Sequence, residues 1–261
     1  MAMRLVILFL ISLCFPVEAQ LAPSKAAFTA ALLKPSASGP SPIAWWKFND
    51  GSGTSAADSS GNSNTGTLNG DATWGTGPNS NGDLVLDGTG DYVEIANEGN
   101  FDFERTAPFS VSCWIKANSS ATGQRDIASK MQQSGNFHGW VLRYDADNQN
   151  LKFILLQSDG AQFIQAATAV NSIVLNTWYF VAATYDGSSA NTGLKIYRNG
   201  DGDITDARAG GPLTGTILND APFWVGRADA NMWFGEIDDM RPFFTTLTSG
   251  QISALNSGGA Q

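Results

Sequence analysis

From residue 43 onward, apolar residues come in short bursts of β-branched and aromatic side chains, broken by clusters of Gly, Asn, Asp and Ser. This texture predicts many short antiparallel strands closed into a sandwich or barrel. The bursts place strands over 43–48, 84–86, 92–95, 109–116, 140–144, 151–156, 163–168, 178–185, 194–197, 223–225 and 234–243. Alternation is clearest in Phe109-Ser-Val111-Ser-Cys113-Trp-Ile115. Its apolar residues take the odd positions, the period of a strand with one buried face. One helix is expected, at the end. Thr248-Ser-Gly-Gln251 reads as a capping box, Ile252 and Leu255 then face the sandwich, and Gly258-Gly259 stops the helix. No repeat of 20–50 residues suggests a solenoid or propeller.

The first 42 residues are patterned differently. Arg4 precedes an apolar stretch over 5–15, and Val17-Glu18-Ala19 offers small residues at −3 and −1 before Gln20. That pattern predicts a cleavable export signal over 1–19 and a secreted chain, and the stretch is too short to span a bilayer. A lipid anchor on Cys14 is set aside because Leu13 stands where a small residue is needed. Residues 20–42, rich in Ala, Ser and Pro, predict a flexible leader, and 43–261 a single β domain. With the signal removed, Cys113 is alone, so packing rather than a disulfide must stabilise the domain. The net charge of −9 argues against nucleic acid, since no basic patch faces phosphates. It is compatible with calcium and with neutral ligands such as sugars. No further stretch suggests membrane insertion, and the oligomeric state is left open.

Several segments, in order, resemble the laminin-G-like jelly rolls of the concanavalin A-like lectin/glucanase superfamily. Trp46-Lys-Phe48-Asn-Asp50-Gly51-Ser-Gly53 and Asp58-Ser-Ser-Gly61-Asn62-Ser-Asn64 are similar to its opening strands and loop, and Leu86-Asp-Gly88-Thr-Gly90-Asp91-Tyr92-Val93 to its next segment. Trp178-Tyr-Phe-Val181 through Tyr185-Asp-Gly187 resembles its central strand, and Phe234-Gly235-Glu-Ile237-Asp238-Asp239-Met-Arg241 its closing strand. The resemblance implies an all-β, two-sheet antiparallel jelly roll with a short C-terminal helix. It departs at Tyr197-Arg-Asn199-Gly200, where the family usually has Asp-Gly. Asn-Gly also suits a two-residue turn, because both residues accept positive φ. The fold serves lectins, adhesion modules and glucanases alike, so function must come from a site.

Three readings compete for that site. Laminarinase-type glucanases of this superfamily carry two Glu on one strand, about 5–5.5 Å apart for a retaining mechanism. Glu236 and Asp238 match that pattern, but Met240 and Arg241 stand where the second Glu is needed, which argues against an enzyme. The lone His138 has no His or Cys companions for a zinc site. Calcium is the second reading. Asp50, Asp58, Asn62 and Asn64 crowd one Gly-rich loop with the oxygens calcium takes, and the resemblance implies completion by Asp238 or Asp239. The alternative is that these residues only cap turns. The 199–206 loop lacks the Gly and Glu of an EF-hand and reads as a solvated hairpin. Sugar binding is the third. Trp45, Trp46, Trp114 and Trp178 fall in strand patterns and read as core, whereas Trp140 and Trp233, with Asp229 and Asn231 nearby, are the candidate ligand contacts. Trp233 is the candidate exposed platform, against the alternative of a core aromatic. The sequence thus predicts a secreted, non-catalytic, calcium-stabilised module for a glycan or glycoprotein surface. A divergent hydrolase using Glu236 and a structural, protein-binding envelope component are the alternatives.

Overall fold

The computed structural model describes residues 39–132, 137–158, 160 and 162–258. The expected export signal and the leader up to residue 38 lie outside the described residues. Strands β1 (Ser55–Ala56), β2 (Gly66–Asn69), β3 (Thr73–Trp74), β4 (Leu84–Asp87) and β5 (Tyr92–Ile95) are followed by β6 (Phe109–Ala117), β7 (Gln124–Gln132), β8 (His138–Asp145), β9 (Asn150–Leu156) and β10 (Phe163–Thr168). Then come β11 (Tyr179–Tyr185), β12 (Leu194–Arg198), β13 (Thr205–Gly210), β14 (Phe223–Val225), β15 (Phe234–Phe243) and helix α1 (Ser249–Ser257). They form two antiparallel sheets, ordered β1-β2-β5-β14-β7-β8-β9-β10-β13 and β12-β11-β6-β15-β4-β3.

The alternation read in β6 sets the layers. Phe109, Val111, Cys113 and Ile115 point into the core between the sheets, where they meet Leu142, Phe153, Phe223 and Val225 from the larger sheet. Excluding this apolar area from water is the main stabilising term of the sandwich. The opposite face of the smaller sheet is also covered, by α1. Ile252 and Leu247 pack there with Phe180, Ala182, Tyr197 and Phe243, and Trp114 and Leu255 lie at the margin. The capping box forms as expected: Thr248 Oγ1 accepts from Gln251 N at 3.3 Å, and Gln251 Oε1 accepts from Thr248 N at 2.9 Å.

Three expectations need correction. The 43–48 run is not a regular strand. Strand β15 pairs with β4 only as far as Ile237 opposite Leu84, and its register shifts between Asp238 and Arg241. Asp239 sits at that shift with φ 55°. Segment 43–46 takes over the edge that β4 leaves, through Ile43 N to Pro242 O (2.8 Å) and a Trp46–Met240 exchange at 3.0 and 2.9 Å. Strand β7 was missed because its polar residues mask the pattern. Asp126 pairs with Arg143, and Lys130 pairs with Glu98 and Asp102 at 2.8 and 2.7 Å. The 199–206 stretch is more than a solvated hairpin. Asn199 and Gly200 do adopt positive φ, 52° and 73°, but the chain then crosses to the other sheet, where β13 pairs with β10.

Candidate functional site

The expected calcium residues do not converge. Asp58 is held by donors on both oxygens. Oδ1 accepts from Trp45 N (2.9 Å) and Ser60 N (2.8 Å), and Oδ2 accepts from Asn64 N and Ser60 Oγ (2.9 Å each). Burial alone would raise its pKa, yet these bonds hold it below the ordinary carboxylate range. Asp50 accepts from Ala57 N at 3.2 Å, and Asn62 Nδ2 donates to Ile43 O at 2.9 Å. Asp239 takes the Trp45 indole N–H and pairs with Arg241 at 2.8 Å. No three of Asp50, Asp58, Asp238 and Asp239 bring carboxylate oxygens within 4.8 Å of one another. The loop as formed is a set of capped turns, with the Asp58 carboxylate taken up by the loop's own donors. Three carboxylates that do converge within 4.8 Å, Asp71, Asp87 and Asp91, lie at another place. There Asp91 closes the β4–β5 turn by accepting from Asp71 N (2.8 Å) and Asp87 N (3.0 Å).

The outer face of β15 carries the remaining acidic chemistry. Glu236 is bound by Lys116 at 2.9 and 3.1 Å. Antiparallel register puts Asp83, just before β4, beside Asp238. Asp83 and Asp238 are both 0% exposed, with the backbone N–H of Gly77 near the first carboxyl and that of Asp239 near the second. Burial first, then the Glu236 carboxylate, raises the Asp83 pKa. Burial first, then the charge of Asp239, raises Asp238 to about 8. A second carboxyl therefore does stand near Glu236, from the neighbouring strand, which the single-strand motif could not reveal. It is shut away from any polymer substrate.

The aromatic platform expectation is also corrected. Trp140 is 1% exposed and Trp233 is 0% exposed. Trp140 packs among Phe109 (5.5 Å between centroids), Phe223 (5.6 Å) and Phe153 (6.3 Å). Trp233 stands edge-on to Tyr144 at 6.0 Å. The Asp- and Asn-rich stretch before Trp233 is a closed loop: Asp229 has φ 58°, and Trp233 N returns to Gly226 O at 2.8 Å, which turns the indole inward. Asn231 holds this loop to β7, its carbonyl accepting from Asp126 N at 3.0 Å, while Asp229 is exposed. Trp45, Trp114 and Trp178, expected in the core, are only half-buried. Trp45 lies between Lys47 and Arg241, each 4.3 Å from its ring.

What the fold does assemble is a cleft of about 480 Å³ lined by Ser41, Pro42, Ile43, Asn62, Asn64, Asn100 and Phe244. The Ile43 carbonyl accepts from Asn62 and Asn64 side chains, both at 2.9 Å, and Asn64 Oδ1 accepts from Asn100 Nδ2 at 2.7 Å. These bonds fix three amides in one orientation. Phe244, the first residue past β15, is 57% exposed, and its edge rests on Phe103 at 5.3 Å and 81°. Among the described residues, no charged side chain lines the cleft. Asn62 and Asn64 were expected in a cation site, and Asn100 and Phe244 were missed. The one available signal was the Phe243-Phe244 pair, which period two splits between buried and exposed faces.

A laminin-G family profile, described as the concanavalin A-like lectin/glucanases superfamily, matches residues 87–253. No curated protein matches the chain in sequence. Among solved structures, the binding domain of Paraclostridial Mosquitocidal Protein 1 superposes with a TM-score of 0.65 at 17% identity, over 84% of this chain and 52% of that one. The receptor-binding domain of botulinum neurotoxin C/D mosaic serotype gives 0.62 at 20% identity, over 84% and 51%. A botulinum neurotoxin serotype D ligand-binding domain, solved with N-acetylneuraminic acid, gives 0.62 at 19% identity, over 84% and 51%. The chain thus spans about half the length of these structures, and at such identities they bear on the fold alone. Among the described residues, no helix is long and apolar enough to cross a membrane. With two jelly-roll sheets and a family match over well more than half its length, the chain belongs to the laminin-G-like branch of the concanavalin A-like lectin/glucanase superfamily.

Proposed function

We propose that this chain is a non-catalytic glycan-binding module that takes a neutral sugar unit in the Asn62–Asn64–Asn100–Phe244 cleft. The observation that carries this reading is the pairing of a solvent-facing aromatic with pre-oriented amides in a lining without charge. An aromatic face suits the C–H surface of a pyranose, and the exposed amides of Asn62 and Asn100, the latter anchored on buried Asn64, match hydroxyl or acetamido groups at little cost in ordering. A sugar carboxylate would find no cation among the lining residues, so neutral glycans are expected over sialylated ones. The absence of catalysis rests on β15, where Glu236 is engaged by Lys116 and its carboxyl neighbours are buried. Export is part of the proposal and rests on the residue pattern over 1–19. Calcium, expected from the first loop, gains no support from the side chains there. A glycan array followed by calorimetry on wild type, Phe244→Ala and Asn100→Ala tests the reading. We expect binding to neutral glycans that Phe244→Ala weakens about tenfold, roughly 1.4 kcal/mol. Binding unchanged in both variants, or no glycan binding at all, would refute it.

A further inference from the structure

One backbone carbonyl sets the polarity of the amide cleft. A carbonyl only accepts, so an amide bonded to it must turn its nitrogen toward it. The Ile43 oxygen takes Asn62 Nδ2 and Asn64 Nδ2, both at 2.9 Å, and Pro42 O takes the same Asn62 nitrogen at 3.4 Å. With its nitrogen so placed, buried Asn64 has only Oδ1 to offer Asn100, whose Nδ2 meets it at 2.7 Å. The direction of donation therefore passes from Asn100 through Asn64 to Ile43. Flipping any of the three amides would set oxygen against oxygen. What remains for a ligand is uneven. Asn62 and Asn100 are exposed, and neither Oδ1 accepts a hydrogen bond among the described residues. Asn62 turns both N–H groups to backbone carbonyls, whereas Asn100 keeps one of its two. The Ser41 hydroxyl, also in the lining, can serve either way. Beside the exposed Phe244 ring, the side-chain amides thus present two free acceptor oxygens against one free N–H.

We propose that Asn62 and Asn100 read the sugar through hydroxyls that donate to them, so that the cleft selects free hydroxyls over groups that only accept. That a sugar binds here rests on the function proposed above; the direction of its hydrogen bonds rests on the amide relay alone. Replacing a hydroxyl by fluorine keeps its place on the ring and removes the proton. The test is NMR titration of the full chain with the methyl pyranosides of glucose, galactose, mannose and N-acetylglucosamine. Their monodeoxy and monodeoxyfluoro forms are titrated beside them. We expect at least one ring position where the deoxy and fluoro forms both bind about fivefold more weakly than the hydroxyl form, the scale of one net hydrogen bond. That difference should vanish in the Asn62→Ala, Asn100→Ala double variant. The wild-type comparison needs no variant, so it stands even if the double variant folds poorly. Fluoro forms that bind as well as their parents at every position show hydroxyls that accept, and this overturns the inference while the glycan reading survives. A fluoro penalty that persists in a folded double variant places the contact on other residues and overturns it too. Binding of none of the four parent sugars overturns it together with the glycan reading.

Discussion

Replacing Asp58 with Ala separates two roles for the first loop, since a turn cap and a metal ligand answer differently to calcium. The carboxylate accepts three backbone N–H groups, from Trp45, Ser60 and Asn64, at 2.8–2.9 Å. Hydrogen bonds to a charged group contribute about 1.5–3 kcal/mol each in net terms. These three share one acceptor and lie partly in solvent, so their loss is not additive, and about 3 kcal/mol is expected. For a domain of this size each kcal/mol moves Tm by about 2–4 °C, so Asp58→Ala should melt roughly 6–12 °C lower. The loss should be equal in EDTA and in millimolar calcium, because the partners are the protein's own amides. Differential scanning calorimetry in both buffers, with urea midpoints as a second measure, gives the answer. If the variant matches wild type in EDTA and loses stability only when calcium is present, the carboxylate is a cation ligand and the hydrogen-bond reasoning is wrong. Glycan affinity should also fall in this variant, since Asp58 places the backbone of Asn64.

Three further outcomes follow from burial and charge. Stability should fall as pH rises from about 4 to about 8. Burial lifts Asp126 to about 6 and Asp238 to about 8 and raises Asp83, so the folded chain holds protons that the unfolded chain has already released. Urea midpoints should be higher at pH 5 than at pH 8, with the slope reduced in Asp238→Asn; a rising or flat profile would contradict the assignment. Trp140→Ala and Trp233→Ala should each cost about 3–5 kcal/mol, as core truncations do, so variants that melt like wild type would restore the surface-platform reading. Thr248→Ala should cost about 1 kcal/mol through loss of the helix cap, read as a fall of a few degrees in Tm, and an unchanged Tm would show that α1 is held by packing alone.

The fold was legible wherever one face of a strand meets the core and the other meets water. Strand β6 announces itself through Phe109, Val111, Cys113 and Ile115, and the bounds expected for β5, β10, β14 and β15 coincide with those observed. Legibility failed where an outward face is itself packed or ion-paired. In β7, Asp126 and Lys130 are buried beside partners on other elements. No local pattern distinguishes such residues from those of a loop. Very short strands such as β1 and β3 exist only because a partner strand lies beside them.

The candidate site divides along the same line, which bears on why the polar motifs misled. Asp58, Asn62 and Asn64 were visible as a polar cluster because they are close in sequence, but their role depends on what they touch. Their hydrogen bonds turn inward, to the loop's own amides and the Ile43 carbonyl, and that leaves neighbouring amide surface to line a cleft. The residues that complete the cleft come from far along the chain: Asn100 from a 3-10 turn and Phe244 from the end of β15. What brings Phe244 there is the register shift at Asp239, which hands the edge of β15 from β4 to residues 43–46. A shift of this kind changes which strand lies beside Phe243 and Phe244 without changing the hydrophobic pattern. A sequence can therefore display the cleft's near half while giving no sign of its far half. The aromatic that faces solvent is then Phe244, which closes an apolar run, and not Trp233, which stands among Asp and Asn in a loop that folds its indole inward.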